Sequence, residues 1–162
     1  MDLSSKHDIV LINTLYFQTT ILDQTMTTPD YGPKGKPAIR TLAMPGDANP
    51  NGDIFGGWVM SQMDIAGGVT AAWRAQGRVA TVGVEAMSFL KPVSVGDVVC
   101  VYTDIVREGN TSMAIQIELW VLRRDGMARE KVTEGIFTFV AIDNNGKKRA
   151  LPPMPDNTLA LN

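Results

Sequence analysis

From Gly56 to about Ala75, apolar side chains recur at spacings of three and four: Trp58, Val59, Met63, Ala66, Val69, Ala72 and Trp73. That is the period of a helix face, and it predicts one long helix. Asp64 is its one acid. Gly67, Gly68 and Ala71 lie within two turns of it. Two adjacent glycines cost about 1 kcal/mol each in helix propensity, so they predict close backbone packing. A helix with so little charge calls for cover on most sides, and a sheet curving around it would supply that.

After Gly77 the period changes to two. Strands are predicted over Arg78–Phe89, Val98–Glu108, Ser112–Arg124 and Val132–Ile142. Ser112–Arg124 alternates most cleanly, with Ile115, Ile117, Leu119 and Val121 on one side and Gln116, Glu118 and Trp120 on the other. Gly109-Asn110, Arg124-Asp125-Gly126 and Asp143-Asn-Asn-Gly146 punctuate the strands as turns. A short first strand, Ile39–Met44, precedes a Gly-, Pro-, Asn- and Asp-rich loop, Pro45–Asp53. Strand, loop, long helix and four hairpin-linked strands make an α+β domain with an antiparallel sheet. Upstream, Ile9–Leu22 is apolar but rich in β-branched residues, and Thr25–Pro37 reads as a linker. The expected organisation is an N-terminal extension over 1–38, a folded domain over 39–153 and a tail over 154–162.

Charge and cysteine use narrow the chemistry. The chain has 162 residues, 20% of them charged, and a net charge of -2, which offers no general attraction to nucleic acid or to an acidic membrane. No segment has the roughly 18 continuous apolar residues of a membrane span, and Asp2, Lys6 and Asp8 interrupt any secretory pattern, so the expected location is cytoplasmic. The single cysteine, Cys100, sits in an apolar run and reads as a buried core thiol. The only histidine, His7, lies in the N-terminal segment, which argues against a Ser-His or Cys-His machine. His7 and Tyr31 carry no functional signal.

Candidate chemistry gathers where Asp47-Ala-Asn-Pro-Asn-Gly-Asp-Ile-Phe-Gly-Gly57 runs into the helix. Asp47, Asn49, Asn51, Gly52 and Ile54 fit the early positions of a calcium loop, but the twelfth, which must be a bidentate acid, is Trp58. No cluster of histidines or cysteines supports zinc, so no metal is expected. Asn49 and Asn51 are also ordinary turn formers, and Asp53 suits an N-cap. Asp64 is harder to dismiss, because a carboxylate in an apolar helix costs free energy unless paired or solvated in a pocket. Its structural alternative is a salt bridge to Arg74, Arg78 or another subunit. A glycine-lined helix start, whose N–H groups attract negative charge, followed by a lone acid suits hydrolysis of an activated carbonyl without a serine or cysteine nucleophile.

Three segments carry a resemblance: Arg40-Thr-Leu-Ala-Met-Pro-Gly-Asp-Ala-Asn-Pro-Asn-Gly-Asp-Ile-Phe-Gly-Gly-Trp-Val-Met-Ser-Gln-Met-Asp64, Val84–Cys100 and Phe137–Pro152. Over roughly residues 39–153 the chain resembles the hotdog-fold acyl-CoA thioesterases, above all the bacterial short-chain YciA type. The resemblance implies a hotdog fold, a long central helix wrapped by a curved antiparallel sheet. It implies homodimers with active sites shared between subunits, assembled further into hexamers. It makes Asp64 the catalytic acid, as general base or as nucleophile, Asn49 a group that positions water or thioester, and Gly57 the backbone donor to the carbonyl, with Gly56 shaping the turn. No cofactor is implied beyond coenzyme A as part of substrate and product. Lys91, Arg107, Lys147, Lys148 and Arg149 become candidates for its phosphates, and Asn110, Thr111 and Ser112 for its approach. Trp58, Met60, Met63 and Met87 are candidates for an acyl pocket, with ordinary core as the alternative. A non-catalytic acyl-CoA sensor on the same fold is the rival function.

Overall fold

The computed structural model describes residues 32–33, 36–124 and 128–154. The apolar run Ile9–Leu22, His7, Tyr31, the tip of the Arg124–Gly126 turn and the tail beyond residue 154 lie outside the described residues.

Strand β1 (Ile39–Leu42) leads through a single 3₁₀ turn (Pro45–Asp47) and an irregular loop into helix α1 (Gly56–Ala75). Four strands follow: β2 (Val79–Phe89), β3 (Val98–Glu108), β4 (Ser112–Leu122) and β5 (Arg129–Ala141). The last begins three residues ahead of the expected Val132, because Leu122↔Arg129 and Val121↔Glu130 already pair across the β4–β5 hairpin. All pairings are antiparallel, and the order across the sheet is β1-β3-β4-β5-β2.

The alternation in β4 is realised as expected. Ile115, Ile117, Leu119 and Val121 are buried in the main core with Phe137 and Phe139 of β5 and Val59, Met63, Ala66, Ala71 and Ala75 of α1. Cys100 is buried as expected, but in a separate cluster with Tyr102 and Trp120, residues that alternate with the core-facing Val99 and Val101 of β3 and Leu119 and Val121 of β4. The small helix residues divide. A Cβ on Gly67 would lie 2.7 Å from both Ile117 Cδ1 and Phe139 Cζ, so only glycine lets the helix seat here, whereas one on Gly68 would make an ordinary 3.9 Å contact.

The expectation of a helix wrapped by a curved sheet is corrected. The sheet is open, with β1 and β2 as its two edges, and it neither closes nor curls strongly around the helix. Helix α1 lies against it, and a second apolar stripe points away: Ile65, Val69 and Trp73, at i, i+4 and i+8, are 51%, 51% and 44% exposed. The scarcity of charge thus marks two apolar flanks, only one of which this sheet covers. Edge strand β2 is irregular. Its register with β5 slips between Thr81 and Gly83 and again between Glu85 and Ser88, where Ala86 adopts a left-handed φ of 48°. Such bulges bend an edge strand and re-aim its side chains.

Candidate active site

Asn49 organises the loop ahead of the helix. Its Oδ1 accepts from the N–H groups of Asn51 (2.9 Å) and Asp53 (3.2 Å), and its own N–H donates to the Asp53 carbonyl (2.6 Å). Gly52, at φ 93°, turns the chain inside this ring, a conformation glycine adopts at little cost. Phe55 is the N-cap and contributes no side-chain hydrogen bond; Asp53, the expected cap, instead bridges to Ser94. The N–H groups of Gly56, Gly57 and Trp58 consequently have no acceptor among the described residues. A Cβ on Gly57 would meet nothing within 4 Å, so the helix start is sterically open there. Donors left in this state form an anion-attracting end, reinforced by the helix dipole.

Asp64 is half-buried, and its Oδ1 accepts a 2.6 Å hydrogen bond from the Thr81 hydroxyl of β2. The salt bridges weighed from sequence are made elsewhere. Arg74 forms a two-pronged pair with Glu108 at 2.7 Å on each arm, and Arg78 donates to the carbonyls of Asp143 and Asn144. The carboxylate is thereby fixed by a neutral donor on a residue that is only half-buried. Sequence reasoning missed Thr81. A threonine in a strand is an ordinary β-former, and only the sheet's approach to the helix brings it to Asp64.

Beside the helix start lies a cleft of about 330 Å³ lined by Ile54, Gly56, Val59, Phe89, Leu90, Lys91, Pro92, Val93 and Val132. Lys91 donates to Glu130 Oε1 (2.7 Å), Arg123 binds Glu130 Oε2 (2.8 Å), and Arg123 also reaches Asp97 Oδ2 (2.5 Å), which is buried at 3% exposure. The hydrogen bond from Lys91, then that from Arg123, hold the Glu130 carboxyl below its ordinary value.

The remaining candidates fall at the opposite end of the subunit. Arg149 donates to the carbonyls of Ala75 (2.6 Å) and Ile142 (3.2 Å), so it closes the helix C-terminus. Lys147 and Lys148 are exposed on the adjoining turn. Arg107 is exposed near the end of β3, and Asn110, Thr111 and Ser112 form the β3–β4 turn, which binds the 141–151 segment through the Thr111 and Asn110 carbonyls. A 20-residue helix is about 30 Å long, so within one subunit these groups do not meet Asn49, Gly56, Gly57 or Lys91. Of the acyl-pocket candidates, Met63 is wholly buried in the core, Trp58 and Met87 pack half-buried against it, and Met60 is exposed on the helix. Among the described residues no group of three or more His, Cys, Asp or Glu side chains could hold a metal ion, and no helix is long and apolar enough to cross a membrane.

Comparison with known proteins identifies the family. The profile of the thioesterase superfamily matches residues 51–127. The acyl-CoA thioester hydrolase YciA of Salmonella typhimurium is 55% identical over 130 residues, covering 78% of this chain and 98% of that protein. Among solved structures, the hexameric thioesterase y2039 from Yersinia pestis superposes with a TM-score of 0.72 at 56% identity, covering 75% of this chain and 98% of that one. HI0827, a hexameric broad specificity acyl-coenzyme A thioesterase, gives a TM-score of 0.72 at 51% identity over 78% of this chain and 86% of its own. Identical at more than half of the aligned positions to proteins it spans almost end to end, the chain belongs to the hotdog-fold acyl-CoA thioesterase family, alongside the bacterial YciA enzymes.

Proposed function

We propose that this protein hydrolyses acyl-CoA thioesters to a free carboxylic acid and CoA, with Asp64 as general base. Asp64 takes a proton from water as the water oxygen bonds to the thioester carbon. The carbonyl oxygen gains negative charge and is held by the open N–H at Gly57. The C–S bond then breaks, CoA leaves as thiolate and is protonated, and the acid is released. Losing one such backbone or side-chain donor in other enzymes costs about 3–4 kcal/mol. The observation that carries the proposal is the half-buried Asp64, held by Thr81, on a helix whose first N–H groups have no acceptor among the described residues. A Thr81 donor on the carboxylate favours a fixed base over a carboxylate that swings to form an anhydride.

The site is completed by a second copy of the chain. Gly57 and Asp64 are seven residues apart on one helix, a rise of about 10 Å. Water on Asp64 and an oxyanion on Gly57 must flank a single carbon, so one subunit supplies the donor and its neighbour the base. The uncovered Ile65, Val69 and Trp73 stripe and the free edge of β2 suit such a partner, and the relatives' hexamers supply a precedent for assembly. A partner also brings a second set of Arg107, Asn110, Thr111, Ser112, Lys147 and Lys148 within reach of the CoA end. Asn49 serves the site by bracing the loop that holds the helix start open.

The test is CoA release from a panel of acyl-CoAs, followed with a thiol-reactive dye, for the wild type and Asp64→Asn. Loss of turnover in the variant by a factor of about 10²–10⁴, with CoA binding and assembly intact, is the expected result. Tight acyl-CoA binding without turnover by the wild type would point to a sensor and overturn the proposal.

A further inference from the structure

We infer that the cleft between the helix start and the end of β2 receives the acyl chain of the substrate, and that Phe89 and Leu90 set the chain length it accepts. The inference rests on the proposed placement of the thioester carbonyl at the helix start. Two arms leave that carbonyl: an apolar acyl chain and a pantetheine arm ending in phosphates. The cleft opens beside Gly56 and offers one of the arms a path. Its walls decide which. Ile54, Val59, Val93 and Val132, all buried, line it with apolar side chains, and the exposed Phe89 and Leu90 stand along it. Apolar surface of this kind gains from taking methylenes out of water and has nothing to offer a polar pantetheine.

Lys91 is the one charged side chain on the lining, and Glu130 already holds it at 2.7 Å. Arg123 anchors Glu130 from the other side through its own 2.7 Å pair. A phosphate would have to displace an ion pair whose carboxylate has two cations, so this lysine is a poor phosphate receptor and instead finishes the rim of the cleft. The volume, about 330 Å³, sits at the lower end of the range for small-ligand pockets, roughly 300–1,000 Å³. Phe89 governs access near the thioester, because its ring lies 3.3 Å from where a Cβ on Gly56 would be.

Chain-length profiles for acetyl- to palmitoyl-CoA in Leu90→Trp and Phe89→Ala test this. Both positions are largely exposed in the single subunit, and melting and assembly mass check that the fold and the contact with a partner survive. Each buried methylene is worth about fourfold in kcat/KM. Leu90→Trp, which fills the cleft, should lower the ratio of kcat/KM for decanoyl-CoA to that for acetyl-CoA by about tenfold or more. Phe89→Ala, which widens it, should raise the ratio several-fold for the longest chains. An unchanged ratio in both variants, or a shift in inhibition by free CoA with the ratio constant, would overturn the inference. The wild type separates this failure from that of the proposed activity. Turnover with an insensitive profile sinks only the acyl cleft, whereas no turnover on any acyl-CoA sinks the hydrolase reading first.

Discussion

At the scale of single residues, neighbours of identical type do different work. Gly67→Ala must push Phe139 and Ile117 out of 2.7 Å contacts, an overpacking that costs about 1–3 kcal/mol. Gly68→Ala meets only a 3.9 Å contact and gains helix propensity, so it should stabilise by up to about 1 kcal/mol. Paired denaturant melts check both signs, and equal effects would dismiss the packing argument. Composition marked both glycines as packing residues without distinguishing them, because which of the two faces Phe139 depends on a strand about 70 residues later in the chain. Asp64 was legible as an outlier in an apolar helix. Thr81 was not, since nothing in its local pattern departs from an ordinary strand. Thr81→Val removes the hydroxyl donor at 2.6 Å and should lower kcat about tenfold with KM nearly constant. A rise in KM alone would assign Thr81 to substrate binding instead.

At the scale of elements, the boundaries of α1 and β3 follow directly from their periodicity, because each is flanked by glycine or proline punctuation. The start of β5 does not, since Arg129–Lys131 are polar and join the strand through pairing with β4 and through ion pairs. Those pairs give this end of the β4–β5 hairpin a pH response. Glu130 is held below its ordinary value by Lys91 and Arg123, so its folded value lies under its unfolded one. Ionised Glu130 therefore stabilises the fold above the usual carboxylate range, and that contribution fades as pH falls through the folded value. Glu130→Gln should lower the melting temperature near pH 7 and have much less effect well below pH 4. A deficit that does not shrink on acidification would assign Glu130 a packing role. Arg149 shows the limit of reading charge from sequence. In the chain it is one of three consecutive cations, yet only its guanidinium turns back to hold the Ala75 carbonyl at the helix end.

At the scale of the whole molecule, the open sheet changes what the low charge of the helix means. The pattern implied cover on most sides, and a curled sheet was the cover expected. The sheet lies along one flank, and in the proposed shared site the other flank falls to another copy of the chain. A shared site makes a quantitative prediction. Asp64→Asn and Gly57→Pro should each be inactive alone; proline at the second helical position removes an N–H while leaving the helix able to form. Co-assembled at equal amounts, they should recover about a quarter of wild-type activity, since half of random two-fold pairs are mixed and each mixed pair has one intact site. No recovery, with mixed assembly verified by mass, would place donor and base in the same subunit.

The Gly67 notch has a consequence for how Asp64 is aimed. A helix seated by one missing side chain against Phe139 and Ile117 has a fixed azimuth. Turning it by one residue would swing every side chain by about 100°, and Asp64 lies less than one turn from the notch. The bearing of the carboxylate is therefore set by an aromatic ring in β5 that is buried in the core. Transplanting this helix into another scaffold would carry the acid but lose its aim, unless the facing phenylalanine travels with it.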